Sequence, residues 1–343
     1  MEKLIGILTG GGDCPGLNPA IRGCVMRAKD HGTNCVGIQD GWRGLVNAET
    51  VPLGVADVFD IINKGGTILG TSRTNPFKKD DEAKKCAENF KKLGLDALVA
   101  MGGEDTLGVA ARLYKEFKLP VVGVPKTMDN DLSATDFTFG YDTAVTIAVD
   151  AAERMRDTGR SHRRIMVLEV MGRHAGWVAL TTAIASAADW VCVPEEPVDI
   201  ERMCSHLKKA HTLKKTALVI VSEAITIPGE KIGKEALDDF GHMLLKERGV
   251  GDRIAEIIEK ETRIETRVSV IGHIQRGGPP TIFDRILGSR MGVTAADMVE
   301  SKKFGQMAAL RGNDCVAVSL EEATAKLKTV PREWLRFAEI FFK

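Results

Sequence analysis

Short apolar runs alternate with amphipathic segments along the whole chain, and this alternation restricts the fold more than any other feature. The segment TLGVAARLYKEF, for example, places apolar residues at helical spacing. Most of the short runs are apolar throughout, which is typical of strands buried on both faces of a sheet. We therefore predict an α/β protein with largely parallel sheets. The predicted strands are LIGILT (4–9), CVGIQ (35–39), ALVAM (97–101), VVGV (121–124), IMVLEV (165–170), ALVIVS (217–222) and RVSVIG (267–272).

Length and composition limit the class of protein. The 343 residues, 44% of them hydrophobic, are enough for two lobes. Lysine plus arginine and aspartate plus glutamate both number 47, and this balance argues against a nucleic-acid partner. No apolar stretch approaches the ~20 residues of a membrane span, and the first residues form no signal-peptide core. Because the seven cysteines include no CxxC pair, we expect reduced thiols in a cytoplasmic protein without a membrane partner.

The carboxyl ends of parallel strands are where functional residues of such sheets lie. After the first strand comes GGGDCPGLNPAIRG, whose glycines would let the backbone approach an anion closely. Asn18 is predicted to cap the following helix, with Pro19 at its first position. The stretch fits neither GxGxxG nor GxxxxGK[ST]. A tight structural turn and a phosphate site therefore remain equal alternatives here.

Two acidic loops follow the next strands of the predicted sheet. MGGEDTLG places Glu104 and Asp105 where a phosphate cradle would be expected, and PKTMDND places Lys126 beside Asp129 and Asp131. Asp-Asn-Asp is also common turn chemistry. Carboxylates make sense beside anionic substrates if one holds Mg²⁺ and another accepts a proton.

Cationic side chains follow or precede several other strands. They include Arg164, Arg173, Arg267, His273 and Arg276, and Glu223 follows the strand 217–222. Each of them alone could be a surface residue. Arginines at several strand ends are the usual way to hold a phosphorylated substrate. The residues therefore predict phosphoryl transfer to a phosphorylated acceptor, without identifying the acceptor.

A family resemblance makes the prediction of phosphoryl transfer more specific. The segments LTGGGDCPGLNPAIRG, GGTILGTSR, MGGED, PKTMDND, EVMGR and GHIQRGG resemble the phosphofructokinase A family, in family order from residue 9 to residue 278. The resemblance implies two Rossmann-like lobes with the active site in the cleft between them. Residues 1–140 and about 275–325 would form the phosphoryl-donor lobe, and residues 141–274 and about 326–343 the sugar-phosphate lobe. It also implies Mg²⁺-dependent transfer to the 1-hydroxyl of fructose 6-phosphate.

The resemblance assigns roles to single residues as well. Asp129 matches the general base, and the catalytic group is implied to be Asp129, Asp131, Thr127, Arg173 and Lys126. The sugar-phosphate group is implied to be Arg164, Met171, Gly172, Glu223, Arg267, His273 and Arg276. The donor group is implied to be Gly11, Arg73, Gly103, Asp105 and Lys126, with Glu104 as metal ligand. Because the family counterparts of Arg164 and Arg267 come from a neighbouring subunit, the resemblance implies a homodimer or homotetramer with shared sites.

Two residues of this chain point to the phosphoryl donor. ATP-dependent members of the family have glycine at the positions of Asp105 and Lys126. Two like charges ~4 Å apart repel by roughly 4 kcal/mol at an effective dielectric constant near 20, about a thousandfold in affinity. We therefore expect Asp105 to exclude the α-phosphate of ATP, Lys126 to neutralise Asp105, and pyrophosphate to be the donor in a reversible reaction.

Three alternatives stay open at this point. They are an ATP-dependent 6-phosphofructokinase, a non-catalytic sugar-phosphate sensor, and an NAD or lipid kinase with a similar glycine turn. The resemblance keeps Arg22 and Arg156 as effector-site residues, but the second arginine of the N-terminal helix is displaced, with Met26 beside Arg27. Because VPLGVADV also lacks the arginine expected there, we do not expect the allosteric control of regulated bacterial members. The segment 226–252 is longer than its short bacterial counterpart and is expected to decorate the second lobe.

Overall fold

In the computed structural model, residues 3–79, 81–229, 240 and 249–342 are described. Their strands belong to two separate sheets. In chain order the strands are β1 (Leu4–Thr9), β2 (Asn34–Ile38), β3 (Thr50–Pro52), β4 (Ala97–Gly102), β5 (Val121–Pro125), β6 (Ile165–Val170), β7 (Trp190–Cys192), β8 (Ala217–Ser222), β9 (Thr266–Val270), β10 (Gln306–Arg311) and β11 (Asp314–Ser319).

Helices connect most of these strands. Short 3₁₀ turns at Ala56–Val58 and Gly272–Arg276 supplement them. The α-helices are α1 (Leu17–Asp30), α2 (Trp42–Asn47), α3 (Glu82–Lys92), α4 (Glu104–Phe117), α5 (Tyr141–His162), α6 (Trp177–Ala185), α7 (Ile200–Lys214), α8 (Val250–Thr262), α9 (Ile282–Glu300), α10 (Leu320–Thr324) and α11 (Arg332–Glu339).

The first sheet has seven strands in the order β11-β10-β5-β4-β1-β2-β3. Only its edges are antiparallel, where β3 pairs with β2 and β11 pairs with β10. The second sheet has the order β7-β8-β6-β9 and is parallel throughout. The predicted α/β class with largely parallel sheets is confirmed.

Apolar side chains cover both faces of each sheet, which is why the strand sequences do not alternate. On β4, Leu98 and Val99 are both fully buried but belong to core clusters on opposite faces. On β6, Val167 and Leu168 are divided between two further clusters in the same way. This arrangement leaves the polar residues at the strand ends as the first side chains that can line a cavity.

The bounds of the strands agree closely with the sequence-based prediction. β1, β6 and β8 have the predicted limits, and the other four predicted strands differ by one or two residues at an end. Four strands were not predicted, namely β3, β7, β10 and β11, and all of them except β10 lie at a sheet edge. The first two have only three residues each, too few for a periodic signal. The predicted lobe boundaries remain a prediction.

The predicted cap of the first helix is wrong. Helix α1 begins at Leu17 after Gly16, whose φ of 111° lies in the left-handed region. Asn18 is therefore inside the first turn, and its amide donates to the carbonyls of Lys64 and Gly65 at 3.1 Å each. Its Oδ1 accepts from Ile68 N at 2.9 Å. The side chain thus holds a distant loop instead of its own helix.

Two further observations concern the predictions about membrane helices and cysteine thiols. Across the described ranges, no helix is long and apolar enough to cross a membrane. All seven cysteines are free thiols. Most of the segment 226–252 lies outside the described residues.

Candidate active site

A cavity of about 310 Å³ lies at the carboxyl ends of strands from both sheets. It combines the loops after β1, β4 and β5 with those after β6, β8 and β9. Most of the predicted site residues meet here. The lining residues are Gly11, Gly12, Arg73, Gly103, Glu104, Asp105, Thr106, Lys126, Thr127, Asp129, Asp131, Met171, Arg173, His174, Glu223, Phe240, His273 and Arg276.

The acidic pair after β4 occupies the start of a helix. Glu104 and Asp105 are the first two residues of α4, which follows Gly103. The helix macrodipole stabilises carboxylates at this end, so their presence does not require a nearby cation. Gly102 allows the sharp entry, because a Cβ there would lie 2.3 Å from Thr106 Cβ. The backbone turn of a phosphate cradle is therefore kept, while two negative charges are added to it.

Lys126 is buried between loops of the first sheet. Its side chain is 3% exposed, and Nζ donates to the carbonyl of Gly12. Burial lowers the pKa of Lys126, whereas the carboxylates of Asp13 and Asp129 favour its charged form. Cys14 favours the charged form more strongly than either carboxylate, and Arg276 opposes it. The expected neutralisation of Asp105 by Lys126 stays a prediction.

Asp129 presents an unsatisfied carboxylate oxygen. Its Oδ1 is buried and has no hydrogen-bond partner among the described residues. The loop around it is fixed locally, since Asp129 N donates to Thr127 Oγ1 and Thr127 Oγ1 donates to Asp131 Oδ1, both at 3.1 Å. A buried acceptor without a partner is costly. The geometry is suited to a ligand hydroxyl that would donate to it.

Two more carboxyl groups around Asp129 hold their protons unusually tightly. Burial, reinforced by the charge of Asp129, raises the pKa of Asp131 to about 7. Burial and Asp129 also raise the pKa of Glu223 to about 7. Glu223 Oε1 accepts from Gly172 N at 3.3 Å, which places Gly172 behind the cavity wall. Near neutral pH these two groups can therefore act as hydrogen-bond donors as well as acceptors.

Arg276 connects the two sheets at the cavity. Its Nη1 donates to Asp13 O at 3.0 Å, and a Cβ on Gly12 would lie 2.7 Å from the same nitrogen. The neighbouring Gln275 is fully buried, and its Oε1 accepts from Met171 N at 2.7 Å. Gln275 was not predicted as a site residue, although it lies inside the motif GHIQRGG. Its burial next to Arg276 identifies it as a support for the Met171 loop.

Four lining residues were also not among the predicted site residues. Gly12, Thr106 and His174 adjoin predicted residues in the sequence, so their positions follow from the same motifs. Phe240 lies within the long segment 226–252, where no motif indicated a role.

Arg164 and Arg267 lie away from the cavity. Arg164 immediately precedes β6 and Arg267 is the second residue of β9, whereas the cavity is at the opposite ends of these strands. A six-residue strand spans about 20 Å. Both guanidinium groups bind Glu265, with Arg164 Nε 2.7 Å from Oε2. Within one chain the structure does not bring these two arginines to the site.

The residues present fit a magnesium ion that is shared with a substrate. Across the described residues, no group of three histidine, cysteine, aspartate or glutamate side chains could hold a metal. Mg²⁺ usually takes only one or two protein carboxylates, together with water and phosphate oxygens. Glu104 supplies a hard oxygen ligand on the cavity wall, close enough to Asp131 to raise its pKa.

A second, larger cavity adjoins the first. Its volume is about 620 Å³, and it shares Glu104, Asp105 and Phe240 with the smaller cavity. The Arg112 guanidinium lies 3.6 Å from the centre of the Phe77 ring on its wall. Space for a group larger than pyrophosphate is therefore present beside Asp105.

Comparisons with known proteins agree with this geometry. Over 100% of its length the chain is 49% identical to a pyrophosphate–fructose 6-phosphate 1-phosphotransferase of Dictyoglomus thermophilum, covering 99% of that protein. Over 98% of its length it is 44% identical to an ATP-dependent 6-phosphofructokinase of Mycobacterium leprae, again covering 99%.

A solved structure gives the same result for the fold. The phosphofructokinase of Pichia pastoris in the T-state matches 100% of this chain with a TM-score of 0.83 at 27% identity. The match spans 37% of that longer chain. The model of the phosphofructokinase family matches residues 4–299. With motifs, sheets and relatives in agreement, the chain belongs to the phosphofructokinase family.

Proposed function

We propose that this protein transfers a phosphoryl group from pyrophosphate to the 1-hydroxyl of fructose 6-phosphate. The products are fructose 1,6-bisphosphate and phosphate. One observation carries the proposal: Asp129 Oδ1, which is buried and has no partner within the described part of the chain, lies in the same cavity as Lys126, Arg173 and Arg276. A base surrounded by cations is what phosphoryl transfer to a hydroxyl requires.

The mechanism follows from these positions. Asp129 accepts the proton of the sugar hydroxyl as its oxygen attacks the terminal phosphorus of pyrophosphate. Lys126 and Arg173 stabilise the charge on the transferred group and on the departing phosphate. Glu104 would hold Mg²⁺, which supplies further charge neutralisation on the phosphate oxygens when bound. Because pyrophosphate brings the donor and the product closer in free energy than ATP would, the reaction is proposed to run in both directions.

The sugar phosphate is proposed to lie on the side of the second sheet. Met171 and Glu223 would contact the sugar, with Gly172 holding Glu223 from behind the cavity wall, and His273 and Arg276 would contact its phosphate. Arg164 and Arg267 would complete the phosphate site of a second copy, since they lie about one strand length from the cavity of their own chain. A homodimer or homotetramer with shared sites is part of this proposal.

The choice of donor rests on Asp105. Its carboxylate lies on the cavity wall beside Glu104, where a nucleotide would place additional phosphate charge. The relative named for pyrophosphate is 49% identical, compared with 44% for the ATP-dependent one. The adjoining cavity of about 620 Å³ is the observation that favours ATP as the second candidate. Charge rather than lack of space would therefore exclude ATP.

Initial rates with fructose 6-phosphate and Mg²⁺ test the proposal, with pyrophosphate and ATP compared as donors. We expect turnover with pyrophosphate, and phosphate-dependent breakdown of fructose 1,6-bisphosphate in the reverse direction. The double variant Asp105→Gly, Lys126→Gly should gain ATP-dependent turnover. A matched control, Asp57→Gly, replaces an exposed aspartate outside the cavity and should leave the donor preference unchanged.

Three results would contradict parts of the proposal. Faster turnover with ATP in the unmodified protein would reject pyrophosphate as donor. Unchanged ATP use in the double variant would reject exclusion by charge. Full activity of Asp129→Asn would reject Asp129 as the base.

A further inference from the structure

The segment between α10 and α11 crosses from the first sheet to the second. Helix α10 packs on the first sheet, whereas Val330 and Leu335 are buried in the core of the second. Lys328 lies in the middle of this crossing and does not line the cavity. Neither the motifs nor the proposed mechanism gives this segment a task.

The side chain of Lys328 is fully engaged by the loop that follows Asp129. Its Nζ donates to Asn130 Oδ1 at 3.0 Å, to Thr135 O at 3.0 Å and to Asp136 O at 2.9 Å. An ammonium has three donors and no acceptor, so all of its capacity is used. Two of the three acceptors are backbone carbonyls, which fixes the path of the loop itself.

The backbone of the crossing segment holds the same loop a second time. Lys328 N donates to Asp131 O at 2.7 Å, and Leu327 forms an antiparallel bridge with Leu132. Asn130 has a φ of 51°, in the left-handed region, where a non-glycine residue needs external support. Its Oδ1 receives that support from Lys328 Nζ and from Thr138 N at 3.2 Å.

The crossing segment also binds the loop of the second sheet that contains Arg173. Trp177 Nε1 donates to Lys328 O at 2.8 Å. Glu195 Oε1 accepts from Val330 N and from Gly176 N, both at 2.9 Å. Gly176 and Trp177 follow Arg173 by three and four residues. A single short segment is thus hydrogen-bonded to both loops.

We infer that Lys328 is a positioning residue, which holds the Asp129 loop in its active conformation and ties it to the Arg173 loop. The expected effect on catalysis rests on the proposed function. The hydrogen bonds of Lys328 do not depend on that proposal. The base and the stabilising arginine come from different sheets. A fixed distance between them is needed for efficient transfer, because small misplacements of reacting groups are costly.

The test compares Lys328→Met with Lys326→Met, in which an exposed lysine of the same segment is replaced. With pyrophosphate, fructose 6-phosphate and Mg²⁺, kcat of Lys328→Met should fall by about tenfold or more, the value of one hydrogen bond to a charged group. KM for fructose 6-phosphate should change by less than about twofold, because Lys328 does not touch the cavity. The control should match the unmodified protein.

Amide hydrogen exchange supplies a readout that needs no turnover. Exchange of the peptide 126–139 should accelerate about tenfold in Lys328→Met and remain unchanged in the control. Trp177→Phe removes the indole donor and keeps an aromatic ring near Trp334 and Lys328, and it serves if Lys328→Met fails to fold. Exchange around residues 171–177 should then accelerate. Unchanged exchange in these variants, or a raised KM with unaltered kcat, would overturn the inference. If the unmodified protein turned over neither donor, the proposed function would fail, while the exchange result would still decide the role of Lys328.

Discussion

Replacing Asp131 by asparagine should stabilise the protein at alkaline pH while lowering its activity. Asp131 is 8% exposed, and its carboxyl group lies close to the charge of Asp129. Asparagine has nearly the same shape and keeps an acceptor for Thr127 Oγ1, which donates to Asp131 at 3.1 Å. The substitution therefore removes the buried negative charge and little else.

The size and sign of the effect follow from the pKa of Asp131. Its rise from 3.8 to about 7 means that the folded chain binds a proton which the unfolded chain has already lost. Stability from this group is complete below pH 3.8 and is lost as the pH rises through about 7. The full loss corresponds to about 4 kcal/mol at pH 8.5, an upper limit for the gain in Asp131→Asn.

Thermal unfolding at pH 8.5 and pH 5 measures this gain. At about 2 °C per kcal/mol for a large chain, the midpoint at pH 8.5 should rise by up to about 8 °C. At pH 5 the gain should fall to about 1.6 kcal/mol, or about 3 °C, because only the interval of about 1.2 pH units above the ordinary pKa of 3.8 then contributes. Asp150→Asn is the control, because Arg154 lowers the pKa of that exposed carboxylate and no gain is expected at either pH. Equal gains at both pH values, or a lower midpoint at pH 8.5, would refute the reasoning.

Three further predictions concern substrate binding and assembly. Gly12→Ala should raise KM for fructose 6-phosphate about tenfold with an unchanged melting midpoint. The new Cβ would lie only 2.7 Å from Arg276 Nη1, so the guanidinium group would have to move away from the phosphate that it is proposed to bind. Glu223 has a pKa of about 7, so its ionisation should raise KM for fructose 6-phosphate between pH 6 and pH 8; Glu223→Gln should abolish this rise, and an identical profile would exclude Glu223 as its cause. Arg267→Met and Asp129→Asn chains, each inactive alone, should regain activity when refolded together, and no recovery would argue against shared sites.

The group of polar residues at the strand ends could be predicted, because each of them directly follows its strand in the sequence. Residues that directly follow buried parallel strands meet at one edge of a sheet, so Glu104, Lys126 and Asp129 could be placed together from their positions in the sequence. The hairpin of β10 and β11 was missed, although its two-residue Gly-Asn connection is a recognised hairpin signal.

Other features depend on contacts that the sequence does not display. Asn18 looks like a helix cap, but its partners lie about 50 residues away, two of them in the motif GGTILGTSR, and nothing in either segment indicates that they meet. Lys328 and Asn130 are separated by 198 residues, and the sequence around Lys328 resembles any exposed basic segment. Long-range hydrogen bonds of this kind are decided by packing, which a periodic pattern cannot encode.

The ion pairs at Glu265 have a consequence for how the protein responds to dilution. Glu265 binds both Arg164 and Arg267, at the position where the proposed shared site would receive a phosphate from another copy. A separated chain thus keeps one carboxylate beside its two cations, which offsets part of their charge after the neighbour has left. Since the sugar phosphate would bind only the assembled form, it should also hold the copies together by mass action. Specific activity should therefore fall when the enzyme is diluted in buffer alone, and fructose 6-phosphate in the dilution buffer should preserve it.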